Sequence, residues 1–296
     1  MQPQRSLTDW ALLFALVAMW GSSFLFNKLS IATVAPATVV AVRLALGALT
    51  LVILLYLRGQ RLPPPGPIWG AYAILGVLGN ALPFLLIAWG QQVVDSALAG
   101  ILMAVMPLAT LVLAHFLIHG ERMTPRRAAG FALGFAGIVF LMEPAAAAGF
   151  GGAAIPVLSQ LAVLGGALCY AANSVLARLL IKSDFLVSAA GTLLVATVIM
   201  VPVSLIVDRP WTLHPSNSSI AAIVWLGLGP TAIATICYFR LISAAGPTFM
   251  SLVNYMSPAV AVFLGVTLLG EKPGVSAYAG LLFILAGIAL SQWRRR

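Results

Sequence analysis

Two stretches about 150 residues apart carry the same design, and this repeat limits what the chain can fold into. In Trp89–Leu141 and again in Tyr238–Leu290, two long apolar segments flank a tight turn, Gly120-Glu121-Arg122 in the first and Gly270-Glu271-Lys272 in the second. Pro107 and Pro258 interrupt the leading segment of each, and Gly130 and Gly137 correspond to Gly280 and Gly287. The prolines are offset by 151 residues and the other pairs by 150, so one residue of slack lies between them. Duplicated hydrophobic halves are a feature of membrane transporters.

Composition narrows the class. Hydrophobic residues make up 61% of the 296 positions and charged residues 8%, where a soluble domain carries about 25% charged. Apolar runs near or above 18 residues recur from end to end, so the fold expected is an all-α polytopic membrane protein in a lipid bilayer. The runs are continuous rather than alternating, which argues against a β-barrel. The first run, from Trp10, lacks a small-x-small exit and fits a retained span. The formal charge of +9 would suggest nucleic acid in a soluble protein; here it reports topology, and no nucleic-acid partner is expected. Cys169 and Cys237 both fall in apolar segments, so neither a disulfide framework nor a zinc pattern is supported.

Ten spans are expected, at 9–27, 36–57, 68–90, 96–118, 125–142, 157–180, 185–207, 218–241, 246–269 and 274–293. They group into a first repeat (1–143), an Ala/Gly-rich flexible link (144–156) and a second repeat (157–296). One side collects Arg5, Arg58, Arg61, Arg122, Arg126, Arg127, Arg178, Lys182, Arg240 and Arg294–Arg296; the other holds Lys28, Arg209 and Lys272. This asymmetry puts both termini in the cytoplasm. Five spans per half is odd, so the second half crosses the membrane upside down. Inverted repeats supply two conformations of near-equal energy, the basis of alternating access.

The repeat extends to the first span of each half. Trp20-Gly21-Ser22-Ser23 aligns with Tyr170-Ala171-Ala172-Asn173, and Lys28 with Arg178. Small residues here serve close helix packing as readily as a cavity, whereas mid-span aromatics such as Trp20 and Tyr170 favour a cavity wall. Pro83, Pro107, Pro230 and Pro258 fall near mid-span in equivalent spans of the halves. Each removes a backbone hydrogen bond, so broken or bent helices are expected there, as hinges or merely as packing kinks. Asn80 precedes Pro83 by about a turn, and Asn254 precedes Pro258 by four residues. Tyr238, Tyr255 and Ser257 add hydrogen-bonding groups, while Met103, Met106, Phe84 and Trp89 offer an adaptable apolar lining. The candidate substrate site is therefore Trp20, Ser23, Asn80, Met103, Tyr170, Asn173, Tyr238, Asn254 and Tyr255, an apolar cavity with a few amides and hydroxyls suited to a small amphiphile.

Arg43 is the charge that falls well inside a span. Two readings stand for it: attraction of a substrate carboxylate, or a structural tie to carbonyls or another span. The seven acids, Asp9, Asp95, Glu121, Glu143, Asp184, Asp208 and Glu271, all map to span ends or loops, leaving no mid-span carboxylate to relay protons. His115 reads as a capping or packing residue near a span end. Glu121 and Glu271 each follow a helix-ending glycine and are expected to complement the dipole of the helix that follows.

With these features the chain resembles the drug/metabolite transporter superfamily, in particular its ten-span EamA-type exporters. The resemblance rests on WGSSFLFNK at Trp20–Lys28, AVRLALG around Arg43, Pro107 and Pro258, and the two GE turns with their glycines, and it covers nearly the whole chain. It implies two inverted five-helix EamA repeats, a bacterial inner membrane and export of metabolites; the aromatic amino-acid exporters of the YddG type look similar. The second half departs by carrying Leu193 where Arg43 would repeat. A secondary carrier for amino acids or related amphiphiles is the reading favoured; the sequence leaves the oligomeric state open, a monomer being compatible with it. A nucleotide-sugar carrier of the same superfamily would want several basic groups at depth. A membrane enzyme is disfavoured, because no paired intramembrane carboxylates, metal cluster or nucleophile–base pair is found. A channel is disfavoured too, since no filter-like sequence occurs. No cofactor motif, including GxxxxGK[ST], is present.

Overall fold

The computed structural model describes residues 6–121, 123–149, 154–181 and 184–292. Arg5, Arg122, Lys182 and Arg294–Arg296, used above for orientation, lie outside the described residues. The Glu143 side chain does too. The rest forms ten helical spans long and apolar enough to cross a membrane: Leu7–Ile31, Pro36–Leu57, Ile68–Gly90, Ser96–Leu117, Pro125–Met142, Ala154–Leu180, Phe185–Val207, Asn217–Gly246, Leu252–Leu269 and Val275–Gln292. No strand occurs among the described residues. An even number of crossings leaves Ser6 and Gln292 on one face, called here the termini face.

Local chemistry starts and stops these helices. Ser6 and Asp9 form a reciprocal capping box at the first span. Pro36 opens the second span at its first turn. Asp184 and Ser216 cap the seventh and eighth with their own side chains. Gly120 and Gly270, the helix-ending glycines of the two turns, adopt φ of 90° and 67°, conformations that would strain any residue with a Cβ.

Three boundaries differ from expectation. The first span runs on to Ile31, because buried Asn27 donates to Gln91 Oε1 at 2.8 Å and so tolerates a polar stretch inside a helix. The eighth continues past Arg240 to Gly246, where a φ of 79° ends it. The helix of the fifth span passes Pro144 and reaches Gly149, so the first part of the expected link is helical backbone; residues 150–153 lie outside the described ones.

The fifth and tenth spans pair through their glycines. A Cβ on Gly130 would meet the Gly287 carbonyl oxygen, and one on Gly137 would lie 2.8 Å from the carbonyl oxygen of Gly280. Small residues let two backbones approach where lipid supplies no hydrophobic drive. The other eight spans include irregular helices. The third contains a π-helical segment at Val77–Ala81 and the eighth another at Gly227–Ile233, starting 150 residues apart. Pro83 follows the first and Pro230 lies inside the second. The fourth span breaks at Ala104–Val105, just before Pro107. The expected break at Pro258 is corrected: Leu252–Leu269 is assigned as one helix through it. The irregularity in that region comes earlier, between Gly246 and Ser251.

Candidate functional site

Wide turns expose backbone groups, and side chains from other spans meet them. Trp20 Nε1 donates to the Pro230 carbonyl at 3.2 Å, and its ring lies 5.9 Å from that of Tyr238. One residue on, the Thr231 hydroxyl donates to the Leu226 carbonyl at 2.7 Å and accepts from Arg43 Nε at 2.9 Å. The Arg43 guanidinium, in a residue only 7% exposed, also sits 3.7 Å above the Phe84 ring. Phe84 in turn makes an edge contact with Tyr170 at 6.3 Å. On the third span's π segment, Gly79 gives room to the Asn173 amide, which a Cβ there would strike. Arg43 thus joins two groups, each drawn from both halves: Trp20, Pro230, Thr231 and Tyr238 on one side, Phe84, Tyr170 and Asn173 on the other. Among the described residues it faces no carboxylate within ion-pair distance.

The remaining expected site residues are placed less centrally. Ser23 turns back onto the Met19 carbonyl at 2.9 Å. Met103 and Tyr255 both pack against another apolar cluster, around Leu102, Val105 and Ile284. Asn254 and Tyr255 lie in the first turn of the helix that begins at Leu252, not at its middle. Asn80, Asn173 and Asn254 are half-buried, and their amides hydrogen-bond to no other described residue. The phenols of Tyr170, Tyr238 and Tyr255 share that condition. The Ser257 hydroxyl is fully buried without a partner. Unpaired polar groups within apolar spans need a wet cavity or a ligand.

A cleft of about 540 Å³ opens toward the termini face between the second, seventh and eighth spans. Arg58, Phe185, Thr235, Phe239 and Arg240 line it, and none of the sequence-derived site residues does. Its inner end, Thr235, donates to the Thr231 carbonyl at 2.6 Å and so lies one turn from the Arg43 partner. Thr231 was missed from sequence; its place directly after Pro230 was the available signal.

The acids follow a different pattern from the one expected. Glu271 does not serve the helix after it: its carboxylate accepts from Ser96 N at 2.7 Å and Ala97 N at 2.8 Å, at the start of the fourth span. Glu121 pairs with Arg127 at 3.3 Å and Arg178 at 3.7 Å. The cause of the correction is distance in sequence, since the amides Glu271 reaches lie in the other half. Lys28 Nζ donates to the carbonyls of Gln91 and Val94 at 2.7 and 3.1 Å. Desolvation, then the charge of Glu271, push the nearby Asp95 carboxyl above its ordinary range, against a lowering by Lys28. His115 caps its loop by accepting from Met123 N at 3.1 Å. Both cysteines are free thiols.

Ten spans in two related halves, with unpaired polar side chains and a buried guanidinium among them, define a multi-pass membrane protein. The sequence profile of the EamA-like transporter family matches residues 9–143 and again 157–293. The chain belongs to that family and is a transporter. Among its relatives, the uncharacterized inner membrane transporter YedA of Escherichia coli is 29% identical over 94% of this chain and 88% of its own length. A probable terminal-alkyne amino-acid exporter of Streptantibioticus cattleyicolor is 27% identical over 95% and 92%. A crystal structure at 23% identity superimposes with a TM-score of 0.67, covering 96% of each chain, and shares the fold.

Proposed function

We propose that this transporter is a secondary carrier that exports amphiphilic small molecules, amino acids and above all hydrophobic or aromatic ones, from the cytoplasm by alternating access. The observation that carries this reading is the deep guanidinium of Arg43, which has a hydroxyl and an aromatic face but no carboxylate, beside unpaired amides and phenols. A substrate carboxylate would complete the charge, its amine would find Asn or Tyr oxygens, and its side chain would rest on Trp20, Phe84 and Tyr170. The site residues are those named from sequence, with Arg43, Phe84 and Thr231 at the centre and Pro83, Pro107 and Pro230 at the helix irregularities. The relative named as an amino-acid exporter supports the substrate class. The basic-residue asymmetry supports an inner-membrane orientation with both termini cytoplasmic.

A phosphate-bearing substrate such as a nucleotide sugar is the second reading, favoured by Arg58 and Arg240 in the cleft. Both stand at the rim, so a single deep cation remains for the anion. Flux through proteoliposomes against amino acids, nucleosides and nucleotide sugars tests the choice. Saturable flux of a hydrophobic amino acid is expected. Saturation by nucleotide sugars alone would transfer the site to the second reading, and non-saturable leakage of every solute would remove the carrier.

A further inference from the structure

Two carboxylates of the second half each cap a helix of the first half, both on the face opposite the termini. Asp208, at the end of the seventh span, accepts from Thr38 N at 2.6 Å and from the Thr38 hydroxyl at 2.9 Å, in the first turn of the second span. Glu271 accepts from Ser96 N and Ala97 N in the first turn of the fourth. Neither helix has a cap of its own: Ala35 has no side-chain acceptor, and Asp95 makes no capping bond. Gly265 leaves the space in which the Glu271 carboxylate lies, since a Cβ there would strike it. The face is closed further by Thr33 with Ser216 and Ser219, and by Ser219 with the Leu29 carbonyl at 2.8 Å.

Among the described residues the termini face lacks this arrangement. At the offset of 150 residues, Asp208 corresponds to Arg58, a cation that cannot accept from an amide. Its neighbour, the seventh span, is capped by its own Asp184. Glu271 corresponds to Glu121, and Gly265 to His115, which carries a side chain where Gly265 has none. Glu121 reaches across the halves to Arg178 at 3.7 Å, between side chains 35% and 64% exposed. Exposed ion pairs contribute little, whereas carboxylates on helix N-terminal amides gain both charge-assisted hydrogen bonds and the helix dipole.

We infer that Asp208 and Glu271 form a two-point latch that holds the face opposite the termini closed, and that both must leave their amides for that face to open. This rests on the alternating-access reading above. The latch biases the resting carrier toward the conformation open to the termini face, where it loads. Asparagine or glutamine keeps the shape but weakens acceptance, so each exchange multiplies the opposite-face-open population about fivefold. The two carboxylates share no hydrogen-bond partner, so additive effects in the double variant multiply it about twenty-five-fold.

The test uses the full chain in lipid nanodiscs with Cys169 and Cys237 replaced by alanine. Spin labels are placed at Val93 and Val275 on the latched face, and in a second sample at Leu117 and Arg240 on the termini face. Pulsed electron–electron distances are then read for the parent, Asp208→Asn, Glu271→Gln and the double variant. A longer Val93–Val275 distance with a shorter Leu117–Arg240 distance, graded from single to double variant, is the result expected. Unchanged distances in well-folded variants overturn the latch. A lengthened latched face with an unmoved termini face keeps the latch and overturns the reciprocal carrier. Gly265→Ala displaces the Glu271 carboxylate without altering charge, and is expected to open the same face. If every variant, this one included, loses monodispersity, the carboxylates serve folding alone and the latch is refuted.

Discussion

Arg43 of the second span and Thr231 of the eighth are joined at 2.9 Å, and the same threonine hydroxyl donates to the Leu226 carbonyl five residues behind it. One hydroxyl therefore satisfies a carbonyl at the wide turn and holds a buried cation from the other half. Thr231→Val removes both functions at once. Leaving a buried charged donor short of an acceptor costs about 1–3 kcal/mol, so the melting temperature in detergent should fall, while Thr231→Ser should restore it. A valine variant that melts like the parent would mean that the guanidinium has another acceptor.

Asn80→Ala and Asn254→Ala test two of the unpaired amides as substrate contacts. Loss of one hydrogen bond to a charged ligand group is worth about 1.5–3 kcal/mol, or roughly ten- to a hundredfold in affinity. Asn80→Ala should raise the half-saturating substrate concentration by that factor with expression unchanged. Asn254, in the first turn of its helix, should give the same direction of effect in the flux assay. Normal transport by both variants would put the site elsewhere.

The glycine contacts of the fifth and tenth spans make a third prediction. Gly287→Leu forces a side chain into the Gly130 carbonyl, and overpacking costs about 1–3 kcal/mol or more. Thermal stability should drop, yet the surviving folded protein should keep its half-saturating concentration. A change in that concentration at wild-type stability would tie these spans to the substrate.

Asp95 makes a pH-dependent one. Its carboxyl is raised by desolvation and by Glu271, with Lys28 opposing. A raised folded value means the folded protein binds the proton more tightly than the unfolded chain, so ionisation above that value is destabilising. Asp95→Asn should therefore raise the melting temperature at pH 7, and the gain should shrink to nothing as pH falls below the ordinary carboxylate range. Scans from pH 4 to 8 read this directly; a gain that persists in acid would have a different cause.

Hydropathy alone made the span cores legible, because each must be apolar for its full length. The paired turns were legible through Gly120 and Gly270, whose positive φ no other residue adopts without strain. Sequence reasoning failed where a polar residue is paid for by a distant partner. Asn27 and Lys28 continue a helix because Gln91 and Val94 receive them. Glu271 was assigned to its neighbour in sequence, whereas its partners lie 174 and 175 residues away. The candidate site was half legible: Trp20, Tyr170 and Tyr238 stand out as mid-span aromatics, but Thr231 matters only through what the wide turn brings to it.

The two π segments also bear on how relatives of this chain are compared. Each such turn takes one residue more than an α-turn, so side chains beyond it are rotated by about 100° from where a continuous wheel would draw them. The third span uses that rotation to change neighbours, lying on the seventh span before Val77 and on the sixth after Ala81. A helical wheel drawn straight from Ile68 to Gly90 would assign Phe84 and Ala88 to the wrong stripe. An alignment that closes a one-residue gap inside this segment would misplace every lining position after it.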